Sequence, residues 1–279
     1  MKWLFVLFLA VVIFGSAAFF GYNLFFKQEI VIEKEKKGEL PQEPKIDISL
    51  PEFQAAAKLR QDGKLPEARA ALIAFITKYP NAQHSDEAKD LLGEINVDIL
   101  LSRTPSPEKQ EYIVRPGDVL AVVARKVKST PELIMRMNNM NGTMLHIGDK
   151  LLISHPEFAL FVQRKPKLVV LLDHGNFFKQ YHIQEEKLGP KQPAKVATKV
   201  AEVMAFRGGK RVGFGTKEYV GSTRWIRLSS PSYTIYSVPD GAHPNLEQPP
   251  PPAGIGLSAT DVEELSGLVN KNMPVTITD

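Results

Sequence analysis

The sequence predicts an α+β multidomain chain. A helical N-terminal part is followed by a compact strand–helix–helix–strand block and then by a mainly antiparallel β domain. Three observations carry this expectation. Apolar residues recur at three- and four-residue steps from Phe53 to Ile95. The run from Glu111 to Ser154 alternates short β-rich stretches with two capped helical ones. From Ala159 onward, β-branched and aromatic runs are separated by turn residues.

Bulk composition limits the function classes. A chain of 279 residues has room for about two domains, or one with appendages. Lys+Arg 35 against Asp+Glu 31 leaves a net charge of +4. No basic stretch interleaves with aromatics, so nucleic acid is not an expected partner. Cys is 0, which excludes disulfides, thiolate metal sites and a cysteine nucleophile. No metal and no cofactor is expected.

The first element, residues 1–27, contains the uncharged stretch Leu4 to Phe26. A helix of about 20 apolar residues crosses a bilayer. The alternative is a cleaved signal, whose apolar core runs only about 7–15 residues. A small-residue site exists at Gly15–Ala18, but the apolar run continues past it to Phe26. A retained single-pass membrane anchor is the expectation, with the bulk of the chain in the periplasm or otherwise outside the inner (cytoplasmic) membrane. Lys34, Lys36 and Lys37 follow the span closely and oppose that orientation by the positive-inside rule.

Residues 28–50 are charged and Pro-dotted and read as a stalk. Residues 51–102 read as three helices, broken at Asp62-Gly63-Lys64 and at Tyr79-Pro80-Asn81. The order Ala57, Gly63, Ala68, Phe75, Tyr79, Pro80 and Ala88 resembles a tetratricopeptide-type hairpin plus one more helix. A plain helical spacer reads equally well from these residues. One such unit cannot bury a continuous repeat core alone, so it is expected to pack on a neighbour, a partner or its own copy. Residues 103–110 read as a second linker.

In residues 111–155, Tyr112 to Val114 is a predicted strand and Arg115-Pro116-Gly117 a turn. Asp118 is the expected cap of a helix carrying Leu120, Val123, Ala124 and Val127. Thr130 caps a second helix, with Pro131 where a missing N–H costs nothing. Its apolar face is Leu133, Ile134 and Met137. Gly148 precedes a closing strand, Lys150 to Ile153. Together with Val114, Gly117, Leu145 and Asn138, this pattern resembles the lysin-motif (LysM) domain, a carbohydrate-binding module. The resemblance implies binding of N-acetylglucosamine-containing chains, chiefly peptidoglycan, between two loops. Gly117, Asp118 and Val119 would form one side, and Met144, Leu145, His146 and Ile147 the other. A Gly-containing loop lets backbone approach a flat sugar closely, and apolar side chains suit its ring face. Val119 departs from the hydroxyl residue usual in the family. Asp118 read alone is a helix cap, and Asn138 read alone a turn former.

Residues 156–279 begin with strands at Ala159–Arg164, Leu168–Leu172 and Phe177–Ile183, with Asp173-His174-Gly175-Asn176 as a hairpin turn. Trp225–Leu228 and Tyr233–Val238 are further strands. A helix over Asp261–Asn270 and a final strand over Pro274–Thr278 close the chain. The runs LVVLLDHGNFFKQYHI, GSTRWIRL, YTIYSV and LSATDVEELSGLVNKNMPVTI resemble, in order, segments of the L,D-transpeptidase catalytic domain, which cross-links peptidoglycan stems.

The family's chemistry does not carry over by position. Gly254 falls where the family has its cysteine nucleophile, and Gly256 where it has an arginine. Tyr236 and Ser237 replace the His-Gly pair. Acyl transfer needs an activated nucleophile with a base to move its proton. Tyr236 would line the former site, offering a flat ring and a hydroxyl.

Ser258 lies near the former nucleophile position, but with Asp261 three residues on it reads as a helix N-cap. His174, His182 and His243 form no triad by order. Pro249 to Pro252 would stiffen the approach loop. The resemblances imply a non-catalytic, peptidoglycan-binding envelope protein acting as scaffold or regulator, with a wall enzyme or other envelope protein as possible partner. The same residues leave two alternatives: a divergent peptidoglycan-modifying enzyme using Ser258, and a helical adaptor recruiting an envelope partner.

Overall fold

The computed structural model describes residues 47–103, 106–188, 195–229, 233–238 and 253–279. The described elements fall in one compact unit, Ser49–Asp279. Every described helix and strand lies within it. The expected membrane span, the stalk to residue 46 and the four-proline run lie outside the described residues. Among the described residues, no helix is long and apolar enough to cross a membrane.

Three helices open the unit: α1 (Leu50–Gln61), α2 (Leu65–Lys78) and α3 (Ser85–Leu101). Gly63 turns the chain between α1 and α2 at φ +74°, a conformation open to glycine at little cost. Ala56, Ala68 and Ala88 are fully buried beside Phe53, Leu72, Phe75 and Ile95. Small side chains at these points let the helices approach closely. Ala56 faces that core, and its neighbour Ala57 is half-buried.

The helices do not stand alone. A Cβ on Gly93 of α3 would come 2.7 Å from Lys179 Cγ, so glycine admits the close approach of α3 to the sheet strand carrying Lys179. Beside it, buried Asn96 donates to the Phe178 carbonyl at 2.7 Å.

The middle block has strands β1 (Lys109–Ile113) and β2 (Lys150–Ser154), paired antiparallel, and helices α4 (Leu120–Lys126) and α5 (Pro131–Met137). Strand β1 starts two residues inside the expected linker. Lys109 explains the early start, since its Nζ donates to the Ile99 and Ser102 carbonyls at 2.5 Å each. Val114, Leu120, Val123, Ala124, Val127, Ile134, Leu151 and Ile153 form the block's own core. Thr130 caps α5 as expected, with its Oγ1 accepting from Leu133 N at 2.9 Å.

Ten strands occupy the second sheet among the described residues. They are β3 (Phe158–Gln163), β4 (Leu168–Asp173), β5 (Asn176–His182), β6 (Glu185–Lys187), β7 (Lys195–Arg207), β8 (Lys210–Val212), β9 (Thr223–Leu228), β10 (Thr234–Ser237), β11 (Gly254–Leu257) and β12 (Pro274–Thr278). Helix α6 (Ala259–Leu268) lies between the last two. The order is β5-β4-β3-β12-β7-β9-β10-β11-β6, with β8 on β7. Only β12–β3 and β10–β11 pair parallel among these ladders.

The sequence reading missed β7, the longest strand. Its register shifts between Val200 and Glu202, and this bulge breaks the alternation a strand pattern requires. Strand β7 holds the sheet together: residues 195–199 pair with β12 and 200–206 with β9.

Leu133 and Met137 of α5 belong to the core of the β domain rather than to that of their own block. Thr130 Oγ1 also donates to the Gly267 carbonyl at 2.8 Å. A Cβ on Gly267 would lie 3.1 Å from Glu132 Oε1 and 3.2 Å from Arg136 Cζ, so glycine keeps α6 tight against α5. The block is therefore packed onto the β domain as one unit.

Candidate functional site

The two loops expected to hold a sugar lie side by side because the strands they leave are paired. Val114 N donates to the Asp149 carbonyl, and Gly148 N donates to the Val114 carbonyl, both at 2.9 Å. Each loop turns on a left-handed glycine, Gly117 at φ +84° and Gly148 at φ +90°. Nothing lies within 4 Å of where a Cβ would sit on either. Gly117 is thus both open to a ligand and conformationally constrained.

The apolar candidates stand in solvent. Val119 is 55% exposed, Met144 76% and Ile147 71%. Large apolar side chains left this open on adjacent loops suit contact with a flat, partly apolar ligand. His146 is also exposed; its backbone N–H donates to Asp149 Oδ2 at 2.8 Å, and its ring lies 3.5 Å from the same oxygen. Leu145 differs, because it packs against the block's core and so orients the loop.

Two expectations are corrected. Asp118 does not cap α4: the N-cap is Val119, without a side-chain bond. Asp118 Oδ2 instead accepts from Arg115 N at 2.8 Å and from the Tyr112 hydroxyl at 2.7 Å. Those donors, the Arg115 N–H first, hold its carboxyl below the usual carboxylate range. Asp118 is a staple of the loop. Asn138 is no simple turn former. Its Nδ2 donates to the Ile134 and Leu152 carbonyls at 2.8 and 2.7 Å, and its Oδ1 accepts from Leu152 N at 2.7 Å. It pins the end of α5 to β2.

The transpeptidase-like positions are closed. A Cβ on Gly254 would overlap the Thr234 carbonyl of the neighbouring strand β10. One on Gly256 would lie 2.5 Å from Val238 Cγ2 and 3.1 Å from both Glu185 Cβ and Tyr236 Cε2. Tyr236 is fully buried, and its hydroxyl donates to Glu185 Oε2 at 2.9 Å. Burial and that carboxylate push the phenol well above its ordinary range. Tyr236 therefore presents neither a free ring face nor a free hydroxyl, contrary to expectation. Ser237 is buried, its Oγ donating to the Arg224 carbonyl at 3.3 Å.

Ser258 Oγ caps α6, accepting from Asp261 N at 3.0 Å, and lies 3.0 Å from Thr260 Oγ1. His174 and His182 are held by Asp173 and Asp90; His243 lies outside the described residues. No group of His, Cys, Asp and Glu able to hold a metal ion occurs among the described residues.

The sequence reading also missed Arg224. It sits two and four residues before Ile226 and Leu228, on the same inward side of β9, and is 2% exposed. A charged residue in phase with buried aliphatics was the available signal.

Comparison with known proteins agrees with this geometry for the middle block. Residues 112–154 match the LysM domain model. Among solved structures, the chain is similar to an L,D-transpeptidase from Mycobacterium smegmatis, at 13% identity and a TM-score of 0.31, covering 48% of this chain and 65% of that one. It is also similar to an L,D-transpeptidase from Mycobacterium tuberculosis H37Rv, at 16% identity and a TM-score of 0.29, covering 48% and 63%. The match thus spans less than two thirds of either solved chain. No curated protein matches the chain.

Proposed function

We propose that this chain is a non-catalytic peptidoglycan-binding protein of the cell envelope, anchored through Leu4–Phe26 with its bulk outside the cytoplasmic membrane. It acts there as a scaffold or regulator at the wall. The observation that carries this reading is the lysin-motif domain over 112–154 with Val119, Met144 and Ile147 open on its paired loops. N-acetylglucosamine chains are the ligand these loops suit: backbone for the acetamide, aliphatic side chains for the ring face.

Absence of turnover is supported by chemistry and by space. The sequence has no cysteine, and glycines close the two positions where the family has its cysteine and arginine. Tyr236, at the histidine position, is buried and engaged with Glu185. Without an activated nucleophile and a proton acceptor, acyl transfer loses both attack and proton transfer.

Co-sedimentation of the full chain with purified cell-wall sacculi tests the binding. Wild-type protein is expected in the pellet, and Val119→Asp with Ile147→Asp in the supernatant. A wild-type chain that stays in solution refutes the reading. Weak affinity is sufficient for a tethered protein, because the anchor raises the effective concentration. The full chain is the right reagent, since Leu133 and Met137 would lose their packing partners in an isolated block. Intact-mass measurement after carbapenem treatment should show no adduct, and a reporter fused after Asp279 should be active only outside the cytoplasmic membrane.

A further inference from the structure

Between the lysin-motif domain and the β domain lies a cavity of about 460 Å³. One wall is the loop after α5, with Met140 and Asn141; another is Phe214 and Val220 of the segment before β9. Arg224 lines it. The residue is 2% exposed, and its guanidinium has no carboxylate within ion-pair distance among the described residues. Its Nη1 donates to the Tyr219 carbonyl at 2.8 Å and to Ser222 Oγ, and the guanidinium lies 3.5 Å over the Tyr219 ring. Its Nε is buried and has no hydrogen-bond partner.

A buried charge without a counter-ion is costly, and so is a buried donor left unmade. The other cation of the cavity, Arg136, is already matched by Glu132 Oε1 at 2.6 Å, and Glu132 also accepts from the Tyr219 hydroxyl at 2.7 Å. Of the two arginines lining the cavity, Arg224 has no anionic partner among the described residues. A carboxylate is the group a guanidinium recognises best, through charge-assisted and often bidentate hydrogen bonds.

The cavity is also placed to receive such a group from a bound glycan. Met140, Asn141 and Gly142 line it and also line a neighbouring hollow of about 340 Å³ that Met144 shares. Met144 is one of the exposed apolar side chains of the lysin-motif loops. The second loop of the lysin motif thus leads from the sugar groove to Arg224.

We propose that this cavity is a second subsite that takes a carboxylate carried by the glycan, held by Arg224. The inference rests on the glycan-binding reading of the lysin motif. The apolar walls given by Met140, Phe214 and Val220 suit an aliphatic chain between the sugar and the carboxylate. Two sources share this chemistry: an acid group on the sugar itself, and the free end of a short peptide branching from it.

Calorimetric titration of the full chain with four probes tests the subsite. The probes are a neutral N-acetylglucosamine oligomer, a disaccharide bearing a lactyl carboxylate, a disaccharide bearing a peptide with free carboxylates, and the same peptide amidated. Wild-type protein should bind one of the acidic probes at least about tenfold tighter than the neutral oligomer, and amidation of the peptide should remove any advantage that probe has. Arg224→Gln should abolish that advantage and leave the neutral oligomer unchanged. Should Arg224→Gln fail to fold, Gly142→Trp serves, because nothing lies within 4 Å of a Cβ there and the indole would fill the cavity mouth. Equal binding of neutral and acidic probes by wild type overturns the subsite while leaving the lysin-motif reading intact. Failure to bind any probe overturns both.

Discussion

A Cβ placed on Gly117 would meet nothing within 4 Å, whereas one on Gly254 would overlap the Thr234 carbonyl. The two glycines belong to the two regions with family resemblances, the lysin-motif loops and the β10–β11 pair. In the first, glycine supplies a left-handed turn at φ +84° and leaves space outside it, rimmed by exposed Val119, Met144 and Ile147. In the second, glycine allows one strand to press on the next, and Tyr236 and Val238 fill what remains. Glycine at a position named by family resemblance can thus mean either open space or close strand packing, and the surrounding atoms distinguish the two.

The comparison breaks most sharply at Gly254. Gly254→Cys should force β10 and β11 apart, because its Cβ would overlap the Thr234 carbonyl. A loss above about 4 kcal/mol is expected, in the range of severe core lesions. Chemical denaturation measures it, and a variant as stable as wild type would mean that the position is open after all.

A smaller effect is expected at the junction. Met137→Ala removes a fully buried side chain that the lysin-motif block inserts into the β-domain core, at a cost of about 2–5 kcal/mol. Because that core is shared, the variant and wild type should each unfold in a single transition. Two separated transitions would show the blocks to be independent.

At the open region the expected change is in binding and not in stability. Ile147→Asp should lower affinity for N-acetylglucosamine oligomers at least about tenfold. Its unfolding free energy should move by no more than about 0.5 kcal/mol, as for an exposed position. Calorimetry and a thermal melt separate the two quantities.

The smallest effect concerns Asp118. Folding lowers its pKa, so the ionised carboxylate's contribution is complete above the unfolded-state value of about 3.9. It is lost as pH falls through the lower folded value. Asp118→Asn should therefore melt slightly below wild type at pH 7, and the gap should close in strongly acidic buffer. A gap that persists there would assign the loss to geometry rather than to charge.

Much of the architecture was legible because local chemistry and tertiary packing agree. Thr130-Pro131 starts α5 where a cap and a proline should, and His174-Gly175 turns the β4–β5 hairpin at φ +49° and +78°. Strand β7 was not legible, since Ala, Lys and Glu are weak strand formers and the bulge at 200–202 scrambles the period. Candidate site residues were partly legible. Resemblance named the two loops but could not tell Val119 and Ile147, which face solvent, from Asp118, which accepts from Arg115 N and the Tyr112 hydroxyl. Nor could it show that Tyr236 occupies the space over Gly256, or that Arg224 has no counter-ion among the described residues, because both depend on strands brought together from distant sequence.

Backbone amide chemical-shift mapping of the chain during titration with an N-acetylglucosamine oligomer compares the two regions in one experiment. Shifts should concentrate at residues 115–119 and 144–148 and leave 234–237 and 254–257 unmoved. Shifts centred on Tyr236 and Gly254 with silent lysin-motif loops would contradict glycan binding at those loops.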